Sequence, residues 1–268
     1  MNSPPIPYVH PFYGILTEHG PQPHPYRDEL QECQGAAIEH LETARAALDQ
    51  MREIDNQPLV AIPMDGYPPT VGVMLAYTEM YKQFSRTLRI FANESRACLE
   101  SLVYEMAFAF QATPDKNGAP DERAIGFYYP RTEQALRKRA TARGSAHLQA
   151  LNAHFQHATS DPIYVDLDAL RRVCYHRNAP HLTGSIPFTF TMDQRKGPES
   201  ATMTFHEGEP THFQRPVNFE KPGMARAEVA HETYVDSCDR TLVWLTAVTD
   251  EAYHLAMLAL QEGAARDS

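Results

Sequence analysis

The chain has 268 residues, with 24 lysines and arginines against 34 aspartates and glutamates, which gives a formal net charge of −10. Apolar residues make up 43% and charged residues 22%. This is the usage of an ordinary globular protein, and it excludes a wholly disordered chain, a collagen-like repeat and a coiled-coil rod. The acidic balance argues against a protein coated in nucleic acid, because such binding relies on many contacts between basic side chains and phosphates, but it leaves room for a local basic site.

The cysteines and the absence of targeting signals place limits on the compartment. The four cysteines form no CxxC pair, which excludes a zinc knuckle and a thioredoxin-like motif. They are Cys33, Cys98, Cys174 and Cys238. The sequence shows no secretory signal and no apolar run near the roughly 18 residues that span a bilayer. We therefore expect a cytoplasmic protein with reduced thiols and no membrane partner.

Taken in chain order, the sequence predicts an arm, several helices and one hairpin. Residues 1–25 carry seven prolines, which exclude helix and central strand, and their aromatic residues favour an extended arm lying on the body. Apolar residues then recur every three or four positions in five predicted helices. These helices cover residues 28–54, 71–112, 131–157, 162–178 and 224–262. Between the last two, alternating apolar residues around a Lys-Gly-Pro turn predict a β-hairpin within 185–206.

The predicted fold class is therefore all-α. We expect an up-and-down helical bundle over 26–262, with the small inserted β-hairpin and the extended Pro-rich N-terminal arm. No linker separates two independent cores, so 1–268 is interpreted as a single domain.

The basic residues concentrate between 131 and 177, where eight lysines and arginines face four acidic residues. A basic patch on an acidic body fits local binding of phosphates, so we expect contacts with RNA here. The side chains expected to make them are Arg137, Lys138, Arg139, Arg143 and Arg172. The alternative is a solvated helix face, which is what a run of charges usually forms.

The most informative stretch is 170–181, which ends the fourth predicted helix. It contains three arginines, two histidines and an asparagine. Arginine can hold a phosphate with two hydrogen bonds, and histidine can move a proton near neutral pH. These residue types suffice for RNA cleavage without a metal: a base takes the 2′-hydroxyl proton, the oxygen attacks the adjacent phosphate, and arginine stabilises the developing charge. The alternative is structural, because arginine and histidine also complement the dipole of a helix C-terminus by about 0.3–1 kcal/mol each.

The Arg177-Asn178-x-x-His181 end of a helix resembles the HEPN superfamily, whose motif is arginine, a polar residue, a few variable residues and histidine. The segment 91–102 of the long predicted helix also resembles the first bundle helix of such proteins. The resemblance implies a homodimer with two motifs facing across a cleft. It also implies metal-independent RNA cleavage without a cofactor, often in toxin–antitoxin or anti-phage systems, with an antitoxin or regulatory protein as a partner.

Carried onto this chain, the resemblance gives each motif residue a role. Arg177 would bind and activate the scissile phosphate, Asn178 would position it, and His181 would donate or accept the proton. The family places four to six residues between arginine and histidine, whereas three lie between Arg177 and His181. Arg171 and His176 have four between them, but an arginine follows Arg171. The site is built from one of these two pairs or has decayed, and some members of the superfamily bind RNA or partners without cutting.

Two other patterns suggest metal binding. Glu228/His231 and Glu251/His254 both read Glu-x-x-His, a motif of di-iron bundles, but both lie on one predicted helix. One of them could bind a metal together with an acid of the long helix, among Glu94, Glu100 and Glu105. His154 and His157 have a spacing suited to zinc but lack a partner pair. We therefore expect no metal site. Two alternatives to the ribonuclease remain: a non-catalytic helical interaction module, and a metal- or haem-dependent helical oxygenase.

Overall fold

The protein is described from a computed structural model. The described residues are 35–67, 69–110, 112, 125–127, 130–176, 183–184, 188–192, 201–205, 213–214 and 233–267. The predicted arm at 1–25 lies outside them, as do the first residues of the first predicted helix and residues 224–232 of the last. The described part of the chain is dominated by helices, and this confirms the all-α helical bundle.

Six helices are present among the described residues. They are α1 (Ala36–Asp55), α2 (Pro69–Ala109), α3 (Pro130–Arg143), α4 (Ala146–Ser160), α5 (Pro162–His176) and α6 (Tyr234–Asp267). Three of them begin with proline at the first helical position, where the missing N–H costs nothing because that amide has no intrahelical partner. α1, α2 and α6 follow the apolar stripes that predict them. In α2 the stripe residues from Phe84 to Met106 are buried, whereas Met74 at the start of the stripe is exposed.

The single helix predicted over 131–157 is wrong, because the chain forms two helices there. Gly144 has a φ of +62°, a left-handed conformation that ends α3. Ser145 then caps α4, since its hydroxyl accepts a hydrogen bond from the Leu148 amide over 3.1 Å. α3 and α4 pack against each other across this two-residue connection.

Four short strands lie between α5 and α6. They are β1 (Thr183–Gly184), β2 (Phe188–Met192), β3 (Ala201–Phe205) and β4 (Phe213–Gln214). β2 and β3 pair antiparallel, with Phe190 opposite Met203, and β1 pairs antiparallel with β4. The residues that join β2 to β3 lie outside the described residues, so the inserted hairpin stays a prediction.

Contacts divide the chain into two compact units. The first unit comprises Met1–Glu42, Glu94–Val165 and Val243–Ser268, and the second comprises Thr43–Asn93 and Asp166–Leu242. The long helices α1, α2 and α6 therefore contribute one part of their length to each unit. The interpretation of 1–268 as a single domain stays a prediction.

Each unit has its own buried aromatic pairs. In the first unit Phe127 of the α2–α3 connection meets Phe155 of α4 edge-to-face, with ring centroids 5.9 Å apart. In the second unit Phe84 of α2 meets Tyr234 of α6 edge-to-face at 6.4 Å. Edge-to-face pairs of this kind add about 0.5–1.5 kcal/mol beyond the area they bury.

In the second unit, the connection between α1 and α2 lies directly on the first turns of α2. Leu59 is buried with Val73, Ala76 and Met80 of that helix. The Ile62 amide donates a hydrogen bond to the Gly72 carbonyl over 3.1 Å. A Cβ atom on Gly72 would lie 2.2 Å from the Ile62 carbonyl oxygen, so only glycine allows this approach.

Candidate functional site

α5 leads directly into the motif that suggests RNA cleavage. The helix starts cleanly, because the Asp161 carboxylate accepts a hydrogen bond from the Ile163 amide over 2.8 Å and Pro162 occupies the first helical position. His176 is its last residue. Arg177, Asn178 and His181 lie outside the described residues. The predicted positions and roles of these three residues therefore stay predictions.

Two of the predicted site arginines lie in the last turns of α5. Arg172 is exposed and pairs with the Asp168 carboxylate one turn earlier. Arg171 is half-buried. Positions 172 and 176 are four residues apart, so they share one face of the helix. Because the ion pair of Arg172 is exposed, it contributes little to stability and can exchange for a phosphate at small cost.

The predicted RNA-binding residues of α3 fall into two groups. Arg137 and Lys138 are exposed, and Arg137 pairs with Glu133, which also accepts a hydrogen bond from Gln156 over 2.7 Å. Arg139 instead donates from Nε to the Phe110 carbonyl over 2.9 Å, just beyond the end of α2. Arg143 is half-buried in the last turn of α3.

The position of Arg139 gives it a structural task. A cation beside the last carbonyls of a helix complements the negative end of the helix dipole. Arg139 thus ties α3 to the end of α2, whereas Arg137 and Lys138 present their charges to the solvent. Of this basic segment, these two side chains are the ones most suited to meeting a phosphate backbone.

The most buried ionisable residue of the acidic and basic types among the described residues is Glu105 of α2, in the first unit. Its Oε2 accepts a hydrogen bond from the Tyr253 hydroxyl of α6 over 2.6 Å, and its Oε1 accepts one from the Ala37 amide over 3.3 Å. The amides of Gly35 and Ala36 also favour the charged form of this carboxyl group, because they lower its pKa. Glu105 thus caps the N-terminus of α1 from another helix, where a negative charge is favoured.

Burial raises the pKa of Glu105 to about 7, although the Tyr253 hydroxyl and the α1 amides act in the opposite direction. Burial likewise raises the pKa of the Cys98 thiol, one of the neighbours of Glu105, to about 12. The thiol is therefore protonated and inert at neutral pH. Catalytic acids and bases often have a pKa near neutrality. In Glu105, however, burial at the N-terminus of α1 already accounts for the raised pKa.

Arg96 of α2 forms a second buried polar centre in the same unit. Its guanidinium donates to the Phe127 carbonyl over 2.7 Å and lies 3.4 Å from Glu100. It also lies over the rings of Phe127 and Tyr164, with 5.7 and 5.5 Å between the guanidinium carbon and the ring centroids. The Tyr164 hydroxyl donates to the same Phe127 carbonyl over 3.2 Å. This network holds the described residues 125–127 against α2 and α5.

A small cavity of about 190 Å³ lies beside the first residue of α1. Its lining residues are Ala36, Glu100, Ser101, Tyr104 and Ile125. Ligand pockets usually enclose about 300–1,000 Å³, so this cavity suits a few ordered waters better than an organic substrate. We therefore assign no ligand to this cavity.

Three histidines of the described residues, His40, His147 and His154, pair with acids or with backbone. His40 lies 2.6 Å from Glu94, and His154 Nε2 donates to the Val248 carbonyl over 3.0 Å. Glu262 accepts from Ser145 and lies beside His147, and the Ser145 hydrogen bond is the main reason that its pKa is lowered. The acid separates the hydroxyl from the imidazole, so this is not the arrangement of a Ser-His-Asp triad, in which histidine stands between them.

The residues suggested for metal binding are dispersed where the structure describes them. Glu251 and His254 are exposed on α6, and Glu105 is engaged by Tyr253. Glu228 and His231 lie outside the described residues. Within the described ranges, no three histidine, cysteine, aspartate or glutamate side chains converge in a way that could hold a metal ion.

Sequence reasoning missed the roles of Glu105 and Arg96. A signal was present, because each is a charged residue within the longest apolar stripe of the chain. Glu105 stands between the buried residues Val103 and Met106. Arg96 stands two positions before Cys98, which is also buried. A charge at a core position is costly unless it is paired, so such positions predict a buried polar network.

Comparison with known proteins adds nothing to these observations. No protein-family model, curated protein or solved structure matches this chain. Over the described residues, no helix is both long enough and apolar enough to cross a bilayer.

Proposed function

We propose that this protein acts on RNA at the C-terminal end of α5, as a HEPN-like metal-independent endoribonuclease or RNA-binding protein. The observation that carries the proposal is that α5 is helical up to His176, the residue that precedes Arg177 and Asn178 in the sequence. Arg171 and Arg172 of its last turns add positive charge at the same helix end. A phosphate would meet several basic groups there within two helical turns.

The proposed chemistry uses only side chains of this chain. His181 or His176 removes the proton of a ribose 2′-hydroxyl, and the 2′-oxygen attacks the adjacent phosphorus. The bond to the 5′-oxygen breaks, that oxygen takes a proton, and the products are a 2′,3′-cyclic phosphate and a 5′-hydroxyl. Arg177 or Arg171 neutralises the charge that develops on the phosphate, and Asn178 positions it.

The exposed basic side chains of α3 would contribute affinity rather than chemistry. Arg137 and Lys138 would bind phosphates of the RNA backbone, and such contacts weaken with salt because they release counterions. We also infer a homodimer, in which two motifs share a cleft, and a role in a defence system with an antitoxin or regulatory partner. The predicted hairpin and Pro-rich arm would be appendages of this bundle.

Cleavage of mixed tRNA and mRNA by the purified full chain in excess EDTA tests the proposal. We expect products that end in 2′,3′-cyclic phosphate, and at least about a 100-fold loss of rate in Arg177→Ala or His181→Ala, the usual contribution of acid–base groups. Arg86→Ala is the matched control, because Arg86 is an exposed arginine of α2 outside the motif.

The single variants distinguish the possible sites and functions. Loss in Arg171→Ala and His176→Ala, with Arg177→Ala unaffected, assigns the site to the other pair. RNA binding without cleavage, weakened in Arg137→Ala and Lys138→Ala, assigns a binding protein. Equal background cutting by all proteins, together with no measurable RNA affinity, contradicts the proposal.

A further inference from the structure

The helices α3 and α4 of the first unit concentrate positive charge in an otherwise acidic protein. Residues 130–160 contain five lysines and arginines against one acidic residue, Glu133, so this stretch has a formal charge of +4. The whole chain carries −10. All five cations belong to α3, and α4 contains no lysine, arginine, aspartate or glutamate. A basic helix beside an uncharged helix, on an acidic body, attracts a polyanion to this part of the surface.

α3 presents three of its cations to the solvent, and they are Arg131, Arg137 and Lys138. Arg131 and Lys138 are seven residues apart, which is two helical turns, so they lie on one face with Arg137 beside them. Arg137 pairs with Glu133, but this ion pair is exposed on the arginine side and can exchange for a phosphate at small cost. This face of α3 is therefore suited to contacting a phosphate backbone.

The exposed positions of α4 form one narrow stripe along the helix. The opposite face is buried and includes Leu148, Leu151 and Phe155. The exposed residues recur with the spacing of a single helix face, and half of them are alanine. We call them the α4 stripe: Ala146, Gln149, Ala150, Ala153, His157 and Ser160. Small and uncharged polar side chains let another molecule approach the helix closely.

The basic face of α3 adjoins the α4 stripe. Gln156 of α4 donates a hydrogen bond to Glu133 over 2.7 Å, and Glu133 is also the ion-pair partner of Arg137. Gln156 stands three residues after Ala153 and four before Ser160, so it borders the stripe. Arg137 therefore lies beside this border, and a polyanion seated on the stripe would meet its guanidinium.

The connection between the two helices fixes their arrangement. Gly144 ends α3 in a left-handed conformation, and Ser145 caps α4 directly afterwards. Two packed helices joined by a short turn that contains glycine also form the helix-turn-helix of DNA-binding proteins, whose second helix lies in the major groove. The 15 residues of α4 extend about 22 Å, and a helix about 10–12 Å across fits the major groove of B-form DNA, which is about 12 Å wide.

We propose that α3 and α4 bind duplex DNA, with the α4 stripe in the major groove and Arg131, Arg137 and Lys138 on the phosphates. Gln149 has the amide that pairs with adenine, and the alanines of the stripe have the methyl groups that contact thymine. Duplex RNA fits less well, because its major groove is too deep and narrow for side chains to read. The inference goes beyond the action on RNA and does not rest on it, since it uses α4 and a duplex rather than the end of α5.

Fluorescence anisotropy of the full chain with a fluorescein-labelled 24-base-pair DNA duplex of mixed sequence tests the proposal. We expect a Kd of about 1–100 μM at physiological salt, the range of non-specific duplex binding. Ala153→Glu should weaken binding at least about tenfold, because it places a carboxylate within the groove. Ala46→Glu is the matched control: Ala46 is an exposed alanine of α1, outside α3 and α4, and its replacement should leave the affinity unchanged.

The phosphate contacts and the kind of duplex are tested separately. Arg137→Ala together with Lys138→Ala should reduce the slope of log affinity against log salt concentration by about 2, because two phosphate contacts are lost. Unlabelled duplex RNA of the same sequence should compete at least about tenfold less well than unlabelled duplex DNA. Gln149→Glu repeats the test of the stripe if Ala153→Glu loses its helical circular dichroism.

Three results would overturn the proposal. They are equal competition by duplex RNA and duplex DNA, equal effects of Ala153→Glu and Ala46→Glu, and no binding of the DNA duplex by 100 μM protein in 50 mM salt. RNA cleavage in EDTA by the same variants is a separate measurement. A failure to bind duplex DNA is therefore distinguishable from a failure of the action on RNA.

Discussion

The Tyr253 hydroxyl donates a hydrogen bond to Glu105 over 2.6 Å, and this links α6 to the buried acid of α2. The same carboxyl group accepts the Ala37 amide at the start of α1. One side chain therefore joins three helices in the first unit. A buried carboxylate is costly unless its oxygens are satisfied, and the tyrosine and the helix amides provide the donors.

Tyr253→Phe should destabilise the protein by about 1.5–3 kcal/mol at pH 8, because a hydrogen bond to a charged group is lost in a buried place. The change should be read from urea unfolding followed by far-UV circular dichroism. Tyr67→Phe is the control. The Tyr67 side chain is exposed, so removing its hydroxyl should leave the free energy of unfolding unchanged. Equal effects of the two variants would contradict the role of the Tyr253 hydroxyl.

The pH dependence of stability should carry the signature of Glu105. Its pKa is about 7 in the folded protein, against 4.5 as the ordinary value, so between these pH values the folded chain holds a proton that the unfolded chain has released. The free energy of unfolding should therefore fall as the pH rises from 4.5 to 7, by about 3 kcal/mol at 1.36 kcal/mol per pH unit.

Glu105→Gln should flatten this decline, because the amide does not ionise. Urea unfolding at several pH values between 4.5 and 8 measures it. Glu262→Gln provides the contrast. The lowered pKa of Glu262 stabilises the folded protein above the ordinary pKa of glutamate, and this stabilisation is lost as the pH falls. An unchanged slope in Glu105→Gln would show that the acid does not titrate in this range.

Two glycines of the second unit should respond to alanine for different reasons. Gly72→Ala places a Cβ 2.2 Å from a backbone oxygen, so we expect a loss of about 1–3 kcal/mol from overpacking, although alanine is normally the better helix former by about 1 kcal/mol. Gly66 has open space but a φ of +79°, so Gly66→Ala should cost about 1–2 kcal/mol through backbone strain. A gain of stability in Gly72→Ala, measured by thermal unfolding, would show that the connection does not lie on α2.

Arg96→Lys should cost about 1–3 kcal/mol even though the charge is retained. Lysine cannot place a planar group over Phe127 and Tyr164 while it donates to the Phe127 carbonyl. Arg86→Lys, at an exposed position of the same helix, should be within about 0.5 kcal/mol of the parent protein. Guanidinium chloride midpoints of the two variants test the difference, and matching midpoints would argue against the stacked geometry.

The helical stripes of this chain were predictable because burial repeats with the period of the helix. The stripe of α2 runs through Phe84, Phe91 and Met106, and all three are buried. The division of the 131–157 segment was missed because apolar periodicity continues across it. Gly144 and Ser145 were the available signals, since glycine followed by serine is a common end and start of consecutive helices.

The polar contacts could not be predicted from local sequence patterns, because they depend on tertiary structure. Arg139 belongs to a basic run with Arg137 and Lys138, yet only Arg139 bonds to the end of α2. Its partner is a backbone carbonyl 29 residues earlier, and no local pattern identifies such a pair. Glu105 shows the same limit, because its donors come from two helices distant in sequence.

Trp244 is the chain's single tryptophan, and its ring centroid lies 6.5 Å from that of Tyr164 in the first unit. Light absorbed by this tyrosine will reach the indole by energy transfer and will emerge as tryptophan emission. The second unit has no indole of its own. The share of the transferred emission that is absent in Tyr164→Phe therefore reports on the first unit alone. Comparing the loss of that share with the loss of total helicity shows whether the two units unfold together.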